Sequence, residues 1–213
     1  MPKSTWLIED AMSSKQYYED KLKKYTQHHE ISGYGSKESQ TIRFKVVTEI
    51  GDLRNKSICD VGCGIGKLVD YLEQRKFKMK YTGYDISEKI IEKARELHPN
   101  YHFEVRNILE DMPSQRFDYV FSIGLNFKIR DNVEFMKNLI AKMVKMAKIG
   151  VAVSVLSCHV DPEYINVNDF YYDPKLFLDW CLREVSRRCI LRHDYLPHDF
   201  TLYIYKKAFE KRK

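Results

Sequence analysis

Three closely spaced glycines follow an apolar run in the first third of the chain. They lie in the segment DVGCGIG (residues 60–66), directly after SICDV and before an amphipathic stretch that begins at Lys67. Glycine lets a strand turn sharply into a helix and lets a ligand approach the backbone closely. The spacing of Gly62, Gly64 and Gly66 predicts a ligand-binding loop. It differs from the dinucleotide-binding pattern G-x-G-x-x-G, in which the third glycine comes one residue later.

Polar residues with matching chemistry follow the next predicted strands. Asp85 ends KYTGYD (80–85), where a carboxylate can accept hydrogen bonds from both hydroxyls of a ribose. Asn107 follows YHFEV (101–105), and its amide can pair with an adenine edge while Ile108 packs on the ring. Ser122 and Gly124 end the strand FDYVFSI and begin the following loop. Ligands bind at the carboxyl ends of strands in open α/β sheets, so these residues predict one nucleoside site.

The elements that must position these residues alternate after residue 50. The sequence shows strand patterns at 57–61, 80–85, 101–105, 117–123 and 150–156. Between them lie helical patterns at 67–75, 88–98 and 132–148. A helix at 174–185 precedes two more strands, 188–194 and 200–206, which are linked by a segment too short for a parallel crossover. We therefore expect an α/β fold: a Rossmann-like, seven-stranded, mostly parallel sheet with a terminal antiparallel strand and helices on both faces.

The domain organisation follows from the same patterns. Residues 1–50 are helical in pattern, with Ser36 as the cap of a second helix that stops near Gly51, and we expect them to form an N-terminal helical cap over the site. Residues 51–206 form the main domain, and residues 207–213 form a basic tail. Residues 157–173 are long for a connection, which predicts a functional lid inserted in that domain.

Taken in order, these motifs resemble those of the class I S-adenosylmethionine-dependent methyltransferases, from about residue 36 to 206. DVGCGIG is similar to the first motif of that family, Asp85 to its ribose-binding acid and RNILED (106–111) to its adenine-contacting motif. The family often has aspartate where this chain has Asn107, but an asparagine can still accept from an amino group. GYGSKESQTIRF (33–44) and LRHDYLPHDFTLYIYK (191–206) also resemble segments of a small group of bacterial methyltransferases.

The resemblance implies S-adenosylmethionine as cofactor and S-adenosylhomocysteine as product. For the methionine carboxylate we expect Arg43 as the partner, since arginine suits a carboxylate, or else Tyr34 and Ser36. Asp60 is expected to hold the loop through backbone amides and Cys63 to fill space. The implied cofactor-contacting residues are Tyr34, Ser36, Arg43, Asp60, Gly62, Cys63, Gly64, Gly66, Asp85, Ile86, Asn107, Ile108, Ser122 and Gly124.

Several of these residues also have an alternative, purely structural interpretation. Arg43 can be a solvated helix residue, Asp85 a cap for the next helix and Asn107 an ordinary turn residue. The three glycines can also make a structural turn in any α/β protein. These alternatives stay open at the level of sequence.

The methyl acceptor has to be inferred from the expected pocket. A base is needed only when the acceptor holds a proton at neutral pH. His159 in the predicted lid is the first candidate for that base, followed by His193 and Tyr18. The lid is rich in aromatic residues, which suits a small, partly polar acceptor and O- or N-methylation.

Composition argues against several other classes. The net charge is +6, but the last eight residues contribute +4 of it, so a nucleic-acid surface is not favoured. The five cysteines show no Cys-x-x-Cys or Cys/His ligand spacing, so no metal is expected. No apolar signal segment is evident at the N-terminus, and we expect a cytoplasmic enzyme without membrane partners.

Four alternatives remain at this level. An RNA or a protein methyltransferase would use the same cofactor, although no N/D-P-P-Y tetrapeptide and no Pro-Cys pair follows the fourth strand. A non-catalytic binding protein would keep the fold without turnover. A dinucleotide-binding oxidoreductase is disfavoured by the glycine spacing.

Overall fold

A computed structural model describes residues 5–24 and 36–206 of the chain, with side chains from residue 15 onward. Its sheet has seven strands, β1 Lys56–Val61, β2 Met79–Asp85, β3 His102–Val105, β4 Phe117–Ile123, β5 Ala147–Leu156, β6 Cys189–Arg192 and β7 Asp199–Tyr205. Their order in the sheet is β3-β2-β1-β4-β5-β7-β6. All neighbouring pairs are parallel except β5–β7 and β6–β7, which confirms the expected α/β fold. The antiparallel strand β7 lies between β5 and β6, so β6 forms the edge.

Four helices follow residues whose side chains cap them. Ser36 accepts a hydrogen bond from the backbone of Ser39 and forms a capping box with it, as expected for the second helix. The side chains of Ser87, Asp131 and Asp173 accept hydrogen bonds from the first turns of three later helices. The helices are α1 Thr5–Lys24, α2 Lys37–Thr48, α3 Lys67–Gln74, α4 Glu88–Leu97, α5 Asn132–Met146 and α6 Pro174–Trp180, the last continued by a π-helical turn, Cys181–Val185.

The core lies on both faces of the sheet. Val153 and Leu202 face the side covered by α5 and α6, whereas Ala152 and Tyr203 face the side covered by α2 and α3. Strands buried on both faces are nearly continuous apolar runs, as in β5. Polar side chains that serve a ligand are therefore concentrated at the strand ends.

Several boundaries differ from those expected. β5 begins at Ala147 rather than residue 150, with an irregular pairing to β4 between Phe117 and Tyr119. α2 ends at Thr48, three residues before Gly51. Tyr34 and the basic tail 207–213 lie outside the described residues. Among the residues that are described, no helix is both long and apolar enough to span a membrane.

Candidate active site

One large cavity opens at the carboxyl ends of β1, β2, β3 and β4. It occupies about 1310 Å³, counting the space at its open mouth. Its walls include residues 60–65 at the end of β1, 84–87 at the end of β2, 106–109 after β3 and 123–125 at the end of β4. The motifs that sequence reasoning selected thus converge on a single cavity because parallel strands end at one edge of the sheet.

The glycine loop depends on left-handed backbone at its three glycines. Their φ angles are 74° at Gly62, 54° at Gly64 and 82° at Gly66, a region that other residues rarely adopt. The Gly62 N–H donates to the Tyr84 carbonyl oxygen at 2.8 Å, which ties the loop to the end of β2. A Cβ at Gly62 would lie 2.8 Å from Leu125 Cδ2. Both the turn and the close approach of Leu125 therefore require glycine here.

Asp85 joins the loop to the start of α4. Its Oδ2 accepts from the Gly64 N–H at 3.1 Å, and its Oδ1 accepts from the Ser87 N–H at 3.0 Å. Burial raises the pKa of Asp85 above its usual value, and these backbone donors oppose that rise. A carboxylate has about four acceptor sites, so these backbone donors leave acceptor capacity for a ligand. Asp85 thus holds the backbone just before α4, whose cap is Ser87, and it also lines the cavity beside Ile86.

Asp60 has a different partner from the one expected. Its carboxylate is buried at the end of β1 and accepts a hydrogen bond from the Tyr81 hydroxyl at 2.9 Å. Loop amides were the expected donors, and a hydrogen bond from one of them to Asp60 stays a prediction. Tyr81 pairs with Ile58 on the neighbouring strand. Its side chain therefore shares a face with Asp60, two residues farther along, a relationship that only the sheet register reveals.

Cys63 fills space under the loop. A Cβ at Gly83 would lie 2.8 Å from the Cys63 sulfur, so the Cys63 side chain packs directly against the backbone of β2. Burial raises the pKa of the Cys63 thiol well above its usual value, with smaller contributions from Asp85 and Asp60. A thiol held neutral in this way is a poor nucleophile.

Asn107 is both a turn residue and a wall residue. Its Oδ1 accepts from the Leu109 N–H at 3.1 Å, and its Nδ2 donates to Glu110 Oε1 at 3.0 Å. Asn107 and the buried Ile108 both line the cavity. Asn107 therefore acts as a turn residue, and its place in the cavity wall also allows it to contact a ligand.

The cavity also has an apolar wall that sequence reasoning did not identify. It consists of Leu125, Phe127, Ile129, Phe135 and Leu139. The last two belong to α5 and are four residues apart, so they share one helix face. That spacing was visible in the sequence, but whether the face would meet the core or the cavity was not.

The loop after β4 contributes one of the two expected residues. Gly124 lines the cavity with φ 80°, and its N–H donates to the Ser154 carbonyl oxygen at 2.9 Å. Ser122 is fully buried and is not part of the cavity wall. Its Oγ has no hydrogen-bond partner among the described residues.

Arg43 is buried rather than solvated, and it pairs away from the cavity wall. Its Nη2 donates to Asp199 Oδ1 at 3.0 Å and lies 2.8 Å from Oδ2, while its Nη1 donates to Ser39 Oγ at 3.3 Å. Gln40 and Phe44 of the same helix line the cavity instead, and Ser36 serves as the helix cap. The contact expected between Arg43 and a cofactor carboxylate stays a prediction.

Of the three base candidates, only Tyr18 lines the cavity. His159 is exposed, and its ring centroid lies 6.1 Å from that of His193. His193 Nε2 lies 2.8 Å from Ser157 Oγ. The cavity wall includes neither histidine, so a role for either as base stays a prediction without support from this geometry.

None of the residues of the segment 157–173 is among those that line the cavity. The Cys158 N–H donates to the Tyr172 carbonyl oxygen at 2.8 Å, and the Phe170 N–H donates to the Asn126 carbonyl oxygen at 2.6 Å. Tyr172 is fully buried in the core. The expected role of this segment as a lid over the site stays a prediction without support from this geometry.

The same segment brings three possible metal ligands together at the surface. Ligand atoms of Cys158, His159 and Asp173 lie within 4.8 Å of one another, although no such pattern is apparent in the sequence. Asp173 Oδ1 already caps α6 by accepting from two backbone N–H groups. This cluster lies outside the cavity wall.

The chain is similar to known proteins along most of its length. The profile of the family described as methyltransferase domain matches residues 52–194. A Mycobacterium tuberculosis protein named as a methyltransferase is 30% identical over 161 residues, which cover 71% of this chain and 94% of that protein. Trans-aconitate 2-methyltransferase of Escherichia coli (strain SE11) is 30% identical over 96 residues, which cover 45% of this chain and 38% of that enzyme.

Solved structures share the fold. Magnesium protoporphyrin IX methyltransferase from Synechocystis PCC 6803, with bound S-adenosylmethionine, superposes with a TM-score of 0.65 at 16% identity. The match covers 93% of this chain and 97% of that one. At this identity the likeness describes the fold.

Proposed function

The chain belongs to the methyltransferase domain family and uses S-adenosylmethionine, and from this premise we propose that its methyl acceptor is a small organic molecule. The observation that carries the proposal is the composition of the cavity wall. Beside the motif residues after β1, β2 and β3, the cavity is lined by the apolar side chains Phe127, Ile129 and Leu139 and by the Tyr18 ring. A concave, mostly apolar site with a few polar groups is typical for a small organic ligand.

The residues present fit the cofactor. We assign the ribose hydroxyls to Asp85, whose carboxylate keeps free acceptor sites at the cavity wall. We assign the adenine to the space between Ile108 and the apolar wall that includes Leu125 and Phe135. The left-handed glycines Gly62 and Gly64 allow the cofactor to approach the backbone closely.

When bound, the cofactor supplies an electrophilic methyl group. The residues of this chain position the two reactants and exclude water from the site. Holding two reactants in line is worth roughly 7–11 kcal/mol of the barrier. Phe127 and Ile129 form an apolar boundary that limits water. Tyr18, in its deprotonated phenolate form, is the candidate in the cavity wall for taking a proton from the acceptor.

O- or N-methylation is favoured over a cysteine-dependent C-methylation. The one cysteine of the described cavity wall is Cys63, whose thiol is kept neutral by burial. Cys158 is exposed and outside the wall, and burial also raises its pKa. Two similar proteins are named for the acceptors trans-aconitate and magnesium protoporphyrin IX. Both acceptors are small molecules, which supports the proposed acceptor class.

Methyl transfer into a fractionated cell extract tests the proposal. Radiolabelled S-adenosylmethionine is incubated with the protein and with separated RNA, protein and low-molecular-weight fractions. We expect label to appear in the low-molecular-weight fraction and to disappear with an Asp85→Ala variant. Label mainly in RNA or in protein would overturn the small-molecule assignment.

A further inference from the structure

We infer that Glu19 docks α1 over the cofactor cavity and is thereby a positioning residue for the bound cofactor. The inference rests on the proposed placement of the ribose at Asp85. It adds a residue from a helix that no motif of the resemblance includes.

Glu19 is a buried carboxylate with two partners from α4 or its cap. Only 4% of the residue is exposed. Its Oε1 accepts from the Ser87 hydroxyl at 3.0 Å, and its Oε2 accepts from Lys89 Nζ at 2.6 Å. A carboxylate removed from water is costly unless it is paired and hydrogen-bonded, and both of its oxygens are satisfied here. The contact is therefore a specific dock rather than an incidental surface pair.

Ser87 connects this dock to the proposed ribose site. Its hydroxyl donates to Glu19, while its backbone N–H donates to Asp85 Oδ1 at 3.0 Å. Asp85 Oδ2 in turn accepts from the Gly64 N–H. A continuous chain of hydrogen bonds thus runs from α1 through Ser87 and Asp85 to the glycine loop.

The same face of α1 reaches the cavity. Lys15 and Tyr18 line it, and Leu22 packs against Ile65 and Ile90. Together with Glu19 these positions follow the spacing of one helix face. Docking through Glu19 therefore places Lys15 and Tyr18 at the cavity wall.

In the described part of this helix, residues 15–24, Leu22 is the side chain that packs against a buried cluster, and that cluster consists of Ile65 and Ile90. A segment with little apolar burial opens at low free-energy cost compared with the core. In residues 15–24 the hydrogen bonds of Glu19 therefore contribute a large share of the contacts that keep Lys15 and Tyr18 at the cavity wall.

Two variants and a matched control test the inference with S-adenosylhomocysteine as the probe. Glu19→Ala removes both interactions, whereas Glu19→Gln keeps an oxygen that can accept from Ser87. Asp20→Asn is the control, since Asp20 is exposed and its described partners, Gln16 and Lys23, belong to the same helix. Calorimetry gives the affinity, stopped-flow gives the dissociation rate, and thermal unfolding is measured with and without the probe.

We expect Glu19→Ala to weaken binding about tenfold, chiefly through faster dissociation, and Glu19→Gln to have a smaller effect. The unfolding midpoint of the free protein should stay close to that of the wild type, while the probe-induced increase becomes smaller. Asp20→Asn should match the wild type in every measurement.

Wild-type affinity in Glu19→Ala, together with weakened binding in Asp85→Ala, would overturn the role of Glu19 and leave the cofactor site intact. Unchanged binding in Asp85→Ala would instead overturn the cofactor placement itself. If Glu19→Ala does not fold, Glu19→Gln serves as the test variant. A lowered unfolding midpoint of ligand-free Glu19→Gln, together with unchanged affinity for the probe, would assign Glu19 a purely structural role.

Discussion

The Tyr81 hydroxyl donates to Asp60 Oδ2 at 2.9 Å in the buried region beneath the glycine loop. Burial raises the pKa of Asp60 to about 7, Tyr81 opposes this rise and the nearby Asp85 adds to it. Asp60 therefore changes protonation close to neutral pH, directly at the cavity.

This pair predicts a pH dependence of stability. An acid whose folded pKa is raised binds more protons folded than unfolded between the two pKa values, so the free energy of unfolding falls as pH rises through that window. For Asp60 the window runs from about pH 4 to about pH 7. We expect Asp60→Asn to flatten this part of the profile in urea titrations. A variant profile parallel to that of the wild type would contradict the raised pKa.

Asp85→Ala should weaken S-adenosylhomocysteine binding by at least about tenfold, because each hydrogen bond to a charged group is worth roughly 1.5–3 kcal/mol. Asp85→Asn should be intermediate, since its amide oxygen still accepts one hydrogen bond. Titration calorimetry measures both. Wild-type affinity in the alanine variant would remove the ribose assignment.

Two glycine substitutions should differ in their effect on binding. Gly64→Val should abolish cofactor binding and also destabilise the fold, since it places a branched side chain in the cavity wall where φ is 54°. Gly66→Ala should destabilise the fold, because its Cβ would lie 2.7 Å from Phe103 Cζ and 2.8 Å from His98 Cδ2, but it should retain measurable affinity because Gly66 is outside the cavity wall. Thermal unfolding and ligand binding are compared in both variants. Equal affinity in the two folded variants would argue against this division.

Arg43→Met should destabilise the protein by about 3–5 kcal/mol, because it leaves Asp199 buried without its charged partner. The double variant Arg43→Met/Asp199→Leu should recover much of that loss in denaturant titrations. Affinity for S-adenosylhomocysteine in the double variant then tests the predicted carboxylate contact. If the double variant recovers stability but not affinity, the contact is supported. If it recovers both stability and affinity, Arg43 has a purely structural role.

Tyr18→Phe should lower kcat once an acceptor has been isolated from the extract, since positioned proton transfer contributes about 10²–10⁴-fold. His159→Ala provides the comparison, because His159 is outside the cavity wall. A hundredfold loss in His159→Ala with little loss in Tyr18→Phe would restore the histidine as the base and would require the segment 157–173 to move.

Features determined by close neighbours were predictable from the sequence. The strands before Asp85 and Gly124 end where the apolar runs end, and Ser36 and Ser87 cap the helices that follow them. The short link before Asp199 led correctly to an antiparallel pair. Strand ends, caps and hairpins depend on residues within a few positions of one another, and the motif residues therefore converge once parallel strands are assembled.

Features that depend on distant partners were decided by the tertiary structure. Arg43 pairs with Asp199, 156 residues away, and Ser87 binds Glu19 across 68 residues. The local sequence pattern does not indicate which polar side chains will contact one another, because those contacts depend on strand order, register and helix docking. The sequence by itself determined the class of fold, the cofactor and the loop that faces it. The packing of α1, α2 and the segment 157–173 decided which side chains reach the cavity, because those contacts form only when all elements are in place.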